Sequence, residues 1–177
     1  MAHPPIAELE ELDRFAGRIP LEVLERWLTR TTVSLDQVRP FLRFGTEYYI
    51  RNLMYAGPAY QALVLCWRSG QRSPIHDHTG STCGVCVIQG IATETTFARS
   101  ASGLLFATGS CHLTAGQKCA RQDDDVHQMS NLQTGDLVTL HIYSPPLRRM
   151  NMYSISHTQV CQFVDPINDE FVSGSGI

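Results

Sequence analysis

The sequence predicts a mainly β protein, in which a jelly-roll β-barrel follows a small N-terminal helical cap. Three observations support this fold class. Residues 1–45 carry apolar side chains at helical spacing. From Thr46 onwards, short apolar and alternating segments recur at nearly regular intervals. Glycine-containing turns such as Gln89-Gly90 and Ala115-Gly116 separate these segments.

The cap is expected to contain three helices. Residues 5–16 carry apolar side chains at three-residue spacing, and residues 20–31 carry an apolar face. A short third helix is expected to begin after Ser34, whose hydroxyl can cap it, and to end near Pro40. Together these helices predict an N-terminal unit that packs against the β region.

Eight strands are predicted in the barrel region, residues 46–165. They are 47–54, 60–67, 82–88, 91–97, 104–107, 111–114, 126–131 and 136–143. Many short strands with turns between them indicate a sandwich or a barrel. A jelly-roll barrel of the cupin type suits this order, and its interior can hold a metal at one end. We expect a single domain across 1–177, with residues 166–177 as a tail.

Length and charge exclude several classes of protein. A chain of 177 residues can bury one sizeable core. A net charge of -3 and a pI of about 6.1 favour neither nucleic acid nor an anionic membrane as partner. The sequence contains no apolar run near the roughly 20 residues of a membrane span, and residues 1–13 contain no apolar segment of a secretory signal. We expect a cytoplasmic monomer.

The six cysteines are expected to be mostly small apolar fillers, because a chain with an adequate core in a reducing compartment needs no disulfides. Cys83 and Cys86 form a CxxC motif, but it lies in a predicted strand and not at the start of a helix. No second CxxC follows at the spacing of a zinc module. A four-cysteine zinc site is therefore not expected.

Three histidines are candidate metal ligands. In an extended segment, His76 and His78 point to the same side while Asp77 points to the other. His127 begins a later strand that a barrel could bring alongside them. Each signal has an ordinary alternative, since the first pair could lie in a polar loop and the third could be a surface residue. Imidazole ligands suit iron, zinc, copper and nickel, so the residue types alone do not select the metal.

The segment 139–143 is a second candidate for chemistry. Thr139, His141 and Tyr143 share one face of a predicted strand, with apolar residues between them. The ordinary interpretation is a strand whose polar face meets solvent. The alternative is a relay in which the threonine orients the histidine and the histidine holds the tyrosine, whose hydroxyl then reaches a ligand.

Four segments of the chain resemble the cysteine dioxygenase family. They cover about 48–146 and occur in the family's order. Ser73-Pro74-Ile75-His76-Asp77-His78-Thr79-Gly80-Ser81-Thr82-Cys83, with Val87-Ile88-Gln89-Gly90 after it, is similar to the metal-binding signature. Leu140-His141-Ile142-Tyr143-Ser144-Pro145-Pro146 is similar to the catalytic strand, Tyr49-Ile50-Arg51-Asn52-Leu53 to the substrate-carboxylate segment, and Leu65-Cys66-Trp67 stands at the usual interval before the histidines.

The resemblance implies a set of roles for individual residues. His76, His78 and His127 match the ligands of one Fe(II) per chain, and Arg51 matches the residue that binds the substrate carboxylate. The remaining matches are Tyr49 and Trp67 near the pocket, His141 and Tyr143 as the active-site pair, and Cys83 as the cysteine that some members join to this tyrosine by a thioether bond.

Two positions depart from the animal-type pattern. Thr139 replaces a serine and keeps the hydroxyl, whereas Met150 replaces a cysteine beside the substrate, with consequences for pocket shape and affinity. Related thiol dioxygenases that prefer mercaptopropionate share the same motifs but typically lack the arginine at the position of Arg51.

The implied reaction is oxidation of L-cysteine by O2 to cysteine sulfinic acid. Three alternatives remain from the sequence: a 3-mercaptopropionate-type thiol dioxygenase, a three-histidine zinc enzyme, and a non-catalytic metal-binding cupin that senses a small acid. The metal, the thiol substrate and the turnover of oxygen distinguish these alternatives.

Overall fold

The computed structural model describes residues 4–123, 125–164 and 174–175. Within these residues, a short helical segment precedes two antiparallel β-sheets, so the predicted fold class is confirmed. The domain limits predicted from the sequence stay a prediction. No helix in the described ranges has both the length and the apolar character needed to cross a membrane.

The N-terminal segment has shorter helices than the sequence indicated. They are a 3-10 helix at Ala7–Glu11, α1 at Leu21–Arg30, α2 at Leu35–Val38 and a 3-10 helix at Arg39–Phe41. For the first of these the sequence predicted an α-helix, but the structure has a 3-10 helix. The buried residues Ile6, Leu9 and Leu12, in and beside this helix, repeat every three positions, which is the period of a 3-10 helix. Ser34 caps α2 as predicted, through a reciprocal capping box with Gln37.

Twelve strands of the described chain form two six-stranded sheets. They are β1 Ile50–Ala56, β2 Gln61–Trp67, β3 Ile75–His76, β4 Thr82–Gln89, β5 Ile91–Arg99, β6 Leu105–Thr114, β7 Lys118–Gln122, β8 His127–Ser130, β9 Leu137–Ser144, β10 Arg149–Tyr153, β11 Cys161–Val164 and β12 Gly174–Ser175. The first sheet has the order β12-β1-β2-β9-β4-β7, and the second has the order β11-β10-β3-β8-β5-β6.

The strand predictions need three corrections. The segments predicted at 104–107 and 111–114 are one strand, β6, because a bulge at Thr108 of this strand lets the pairing with β5 continue through the expected turn. The short or polar strands β3, β7, β10 and β11 were not predicted. The predicted tail lies outside the described residues except for Gly174–Ser175, which pair with β1.

The central strands of the first sheet are buried on both faces. The outer face packs against the helical segment in an aliphatic cluster that includes Leu24, Val64 and Ile142. The inner face closes over the second sheet in a cluster that includes Leu65, Cys83 and Tyr143. Successive residues of a strand point to opposite faces, so each of the central strands β2, β4 and β9 contributes to both clusters.

Helix α1 approaches β4 closely at Gly84. A Cβ atom added to this glycine would lie 2.9 Å from the Leu24 side chain and 3.1 Å from Leu28. The neighbours Cys83 and Val85 belong to the inner cluster. The absence of a side chain at this position lets the helix lie against β4, which contributes to the inner cluster on its other face.

Candidate metal centre and active site

The three candidate ligands come together inside the second sheet. His76 on β3 and His127 on β8 are direct cross-strand partners, and His78 follows just after β3. All three are buried, and one ligand atom from each lies within 4.8 Å of the others. The Nε2 atoms of His78 and His127 are 3.2 Å apart. The alternative of an exposed polar loop is therefore wrong for His76 and His78, and the alternative of a surface residue is wrong for His127.

Hydrogen bonds fix the orientation of two of these rings. The Nδ1–H of His76 donates to the Pro74 carbonyl at 2.9 Å, and the Nδ1–H of His127 donates to Glu94 Oε1 at 2.7 Å. A neutral imidazole with its proton on Nδ1 has an unprotonated Nε2. Both histidines therefore direct a lone pair towards the shared space.

The donor set fits a transition-metal ion. Burial, followed by the neighbouring His127, lowers the pKa of His76 to about 3 and holds the pKa of His78 well below its ordinary value. Both rings are thus neutral and able to act as ligands at physiological pH. The Nδ1 atom of His78 is buried and has no hydrogen-bond partner among the described residues. Three neutral nitrogen ligands suit Fe(II) and equally other transition metals.

The histidines line one end of a small cavity between the sheets. Its volume is about 20 Å³, close to the space that one water molecule needs. The lining residues are Tyr49, Arg51, Leu65, Trp67, Ser73, His76, His78, His127, Met129, His141, Tyr143 and Met150. The sequence interpretation had identified nine of these twelve and missed Leu65, Ser73 and Met129.

The polar face of β9 forms a continuous hydrogen-bonded chain. Trp67 Nε1 donates to Thr139 Oγ1 at 3.0 Å, and Thr139 Oγ1 lies 2.9 Å from His141 Nε2. His141 Nδ1 lies 3.0 Å from the Tyr143 hydroxyl. All of these side chains are buried, so the alternative of a solvent-facing strand is wrong.

The order of donors along this chain follows from the residue types. Burial, followed by the charge of Arg51, lowers the pKa of His141 to about 3, so the ring is neutral. Among the described hydrogen bonds, the Thr139 hydroxyl has His141 Nε2 as its one acceptor. A ring that accepts at Nε2 carries its proton on Nδ1 and donates to the Tyr143 oxygen. The Tyr143 proton is then left to donate into the cavity.

The candidate substrate-binding residues lie in or beside the first sheet, whereas His76 and His127 belong to the second. Arg51, on β1, and Tyr49, just before it, both line the cavity. The Arg51 guanidinium carbon is 5.9 Å from the centre of the Tyr143 ring. Tyr49 stacks on Trp67 with ring centres 4.0 Å apart, which fixes this part of the cavity lining. Met150, on β10, lines the cavity at the position where the animal-type pattern has cysteine.

Cys83 and Tyr143 are direct cross-strand partners between β4 and β9. Such partners have Cβ atoms about 4.5–5.5 Å apart. Burial raises the pKa of each group well above its ordinary value, and the adjacent Cys119 and Cys83, respectively, raise them further. Cys86 belongs to the outer cluster, so the two cysteines of the CxxC motif face opposite ways.

Asp77 faces away from the candidate ligands His76 and His78, as the alternation predicted. Its carboxylate accepts hydrogen bonds from the Asn151 backbone N–H, the Asn151 amide and the Tyr153 hydroxyl, and from Thr79. Burial by itself would raise the pKa of Asp77, but these hydrogen bonds outweigh it and lower the pKa. Asp77 therefore ties β10, which carries Met150, to the segment that carries two ligands.

Glu94 is a buried residue of the site that the sequence interpretation missed. It lies on β5, accepts the hydrogen bond from His127 and pairs with Arg121 on β7. One signal for it existed, because Glu94 is the sole charged residue in the otherwise uncharged segment 91–97. An isolated charge in a strand is as often a solvent-facing residue, so this signal alone could not place it.

Comparison with known proteins points to one family. The family model for cysteine dioxygenase type I matches residues 28–156. The chain is 34% identical to human cysteine dioxygenase type 1 over 111 residues, which is 60% of this chain and 56% of that protein. It is 36% identical to the Danio rerio protein of the same name over 115 residues, or 61% and 57% of the two chains. The chain thus spans little more than half the length of the relatives it matches.

Solved structures support the fold. An uncharacterized Klebsiella pneumoniae protein with a double-stranded β-helix domain superposes with a TM-score of 0.57 at 18% identity, over 71% of this chain and 92% of its own. The TT1209 protein of Thermus thermophilus gives 0.53 at 14% identity, over 62% and 94%. At these identities the likeness concerns the fold alone, and it confirms the double-stranded β-helix, or cupin, architecture.

Proposed function

Because the chain belongs to the cysteine dioxygenase type I family, we propose that it is an iron-dependent thiol dioxygenase that converts L-cysteine and O2 to cysteine sulfinic acid. The observation that carries this proposal is a single cavity that the three histidines, Arg51 and Tyr143 all line. A bound Fe(II) ion would supply open ligand positions and a lowered thiol pKa. Both oxygen atoms pass to sulfur, so the reaction needs no external reductant.

Arg51 would fix the orientation of the amino acid. Its guanidinium group offers a planar fork of N–H donors that matches a carboxylate. It lies on β1 of the first sheet, whereas His76 and His127 lie on the second sheet, and all three line the same cavity, so a substrate held by its carboxylate would place its thiol near the histidines. The arrangement thus supports a small α-amino acid that carries a thiol.

Tyr143 would act on the same substrate as a hydrogen-bond donor. The relay on β9 leaves its proton directed into the cavity, and burial keeps the phenol protonated by raising its pKa. Arg51 lies over the same ring, so the two groups can act on neighbouring atoms of one small molecule. Tyr143 would thereby orient and stabilise the group that receives oxygen.

The size of the cavity favours a small substrate. About 20 Å³ is less than any thiol amino acid requires, so side chains have to move when it binds. Met129 and Met150 line the cavity, and methionine adjusts its shape more readily than branched or aromatic residues do. A bulky thiol would instead displace the stacked Tyr49 and Trp67, which are held more firmly.

We further propose that turnover joins Cys83 Sγ to a ring carbon of Tyr143. The bond would replace one S–H and one C–H bond, and the two protons and two electrons would pass to O2. Cross-strand pairing holds the two side chains next to each other. Intact mass spectrometry after incubation with iron, cysteine and O2 should show a loss of two hydrogens that disappears in Cys83→Ser. Quantitative alkylation of Cys83 after many turnovers would contradict the bond.

The test of the function is oxygen uptake with three thiols. Cysteine should be used far better than cysteamine, which lacks the carboxylate, because a charge-assisted hydrogen bond contributes about 1.5–3 kcal/mol, or roughly one to two decades. Arg51→Met should abolish this preference, whereas Arg72→Met, at an exposed position, should retain it. Equal use of cysteine and cysteamine by the unsubstituted protein would contradict the role of Arg51.

Two further experimental outcomes would contradict the proposed function and favour another one. Faster oxidation of 3-mercaptopropionate than of cysteine would assign the chain to the mercaptopropionate-type enzymes. Zinc in protein purified without added metal, together with no oxygen uptake, would indicate a zinc enzyme or a non-catalytic cupin. The cytoplasmic location and the monomeric state expected from the sequence stay predictions.

A further inference from the structure

We propose that Glu94 is a positioning residue for the metal centre. It holds His127 in the tautomer whose proton is on Nδ1, so that Nε2 is free to bind a metal. The inference rests on the metal site of the proposed function, but not on which thiol is oxidised. Glu94 is 1% exposed, and its carboxylate lies between the His127 ring and the guanidinium group of Arg121.

The contacts of Glu94 occupy both of its oxygens. Oε1 accepts from His127 Nδ1–H at 2.7 Å and from Arg121 Nε–H at 2.8 Å, and Oε2 accepts from Arg121 Nη2–H at 2.5 Å. Glu94 precedes Thr96, the cross-strand partner of His127, by two residues, so it lies on the same face of the sheet as the ligand. A carboxylate with these partners has little freedom to rotate.

Arg121 connects this carboxylate to the other sheet. It lies on β7 opposite Cys83, and its Nε atom is also 3.1 Å from Asp125 Oδ2. The guanidinium group of Arg121, which stays protonated in proteins, donates to both oxygens of the Glu94 carboxylate. A carboxylate held in this way is ionised, and an ionised carboxylate can only accept hydrogen bonds.

An acceptor that cannot donate determines where the proton of His127 lies. If Nδ1 faces Glu94, Nδ1 must carry the hydrogen, and Nε2 is left with its lone pair directed at His76 and His78. The Pro74 carbonyl likewise keeps the proton of His76 on Nδ1, but this acceptor is a neutral backbone group only two residues away in the chain. Nδ1 of His78 has no such partner. His127 is thus the ligand whose geometry depends on a charged side chain from another strand.

Glu94→Gln is a sharp test because an amide can satisfy only one of the two neighbours. If its oxygen faces His127, its NH2 group opposes the donors of Arg121. If its NH2 group faces His127, Nδ1 must accept, and the proton moves to Nε2, where it blocks metal binding. Either arrangement weakens the site while the volume and shape of the side chain stay the same.

The experiment measures the tautomer and the metal affinity of the same proteins. In metal-free protein with 15N-labelled histidine, long-range proton–nitrogen NMR correlations should show His127 protonated on Nδ1, and Glu94→Gln should shift or mix this tautomer. The dissociation constant of Co(II), from competition with a chelator, should rise by about 10–100-fold. Asp13→Asn is the matched control, because Asp13 accepts from Tyr55 and Tyr60 under the helical segment. It should change neither quantity.

The outcomes separate this inference from the proposed function. An Nε2-protonated His127 in the unsubstituted metal-free protein would overturn the inference, even if Glu94→Gln failed to fold. An unchanged Co(II) dissociation constant in a folded Glu94→Gln protein would also overturn it. If the tautomer and the affinity change as expected but cysteine is not oxidised, the positioning role stands and the proposed reaction fails.

Discussion

The two faces of the first sheet use the same strands for different purposes. On β9, Val138, Leu140 and Ile142 point outwards into an aliphatic cluster under the helical segment. On the same strand, Thr139, His141 and Tyr143 point inwards and form the relay. All six side chains are at most 4% exposed, so burial does not distinguish the faces. They differ in what each buried group requires from its neighbours.

An aliphatic side chain requires only close packing, whereas a buried polar group costs free energy unless it is hydrogen-bonded. The inner face meets this requirement through a chain from Trp67 to Tyr143 that ends at the cavity. Apolar packing on the outer face therefore stabilises the strand, and the inner face of the same strand holds the polar groups in fixed positions. Substitutions on the two faces of one strand should accordingly have separable effects.

His127→Ala is expected to have the largest effect on the inner face. It removes one of the three candidate ligands and leaves the Glu94 carboxylate without its histidine. We expect complete loss of iron retention and of turnover, as measured by metal analysis and oxygen uptake. Full iron occupancy in this variant would show that the three histidines do not form the metal site.

Tyr143→Phe tests the end of the relay. The change removes the hydroxyl that points into the cavity and keeps the ring. Because a positioned proton donor contributes typically 10²–10⁴-fold, kcat should decrease by at least about 10²-fold while metal content is unchanged. A normal kcat with cysteine would limit the relay to a structural role.

Ile142→Ala tests the outer face of the same strand. Ile142 is fully buried, and such truncations cost about 2–5 kcal/mol. Urea denaturation should show this loss in the free energy of unfolding, whereas kcat per folded, iron-loaded molecule should be unchanged. A large decrease in kcat with normal stability would break the division between the faces.

The inner, polar face should also make the free energy of unfolding depend on pH, and this effect is smaller than those of the three substitutions. The pKa of His141, about 3 in the folded protein, lies below its ordinary value of 6.5. As the pH falls below about 6.5, His141 is protonated in the unfolded chain but stays neutral in the folded chain. The free energy of unfolding therefore decreases. Between pH 7 and 5.5 this contribution is about 1 kcal/mol. In metal-free protein, His141→Gln should show a correspondingly shallower decrease, and an identical decrease would contradict the assignment.

The sequence predicted the parts of the site that depend on local alternation. The spacing of His76 and His78, and of Thr139, His141 and Tyr143, predicts which side chains share a face, and the structure agrees. For His127 the sequence offered only a position in a later strand that a barrel could bring alongside them, and the resemblance to a known family added the match to a ligand, because pairing between distant strands leaves little local signal. The metal, the substrate and the thioether bond remain proposals.

Other features lay beyond sequence reasoning for identifiable physical reasons. Glu94 acts on His127 from another strand, so the register between β5 and β8 decides its role. Strand β7 has the sequence Lys-Cys-Ala-Arg-Gln, whose charges suggest a loop until Arg121 is seen to pair with a buried carboxylate. Thr108-Gly109 has the composition of a turn, but the adjoining strand tolerates it as a bulge. In each case a contact with another strand overrides the local preference.

The close approach of α1 to Gly84 makes the helix a spacer behind β4, the strand that pairs with β9 and its residues His141 and Tyr143. Growing a side chain at this position would require movement of the helix or of the strand, and Cys83 and Val85, the cross-strand partners of those two lining residues, would carry any strand movement to the cavity wall. Leu24 and Leu28 are therefore positions where substitution is expected to change the shape of the cavity without changing a lining residue. In an engineered or diverging protein, the helix and the cavity would have to change together.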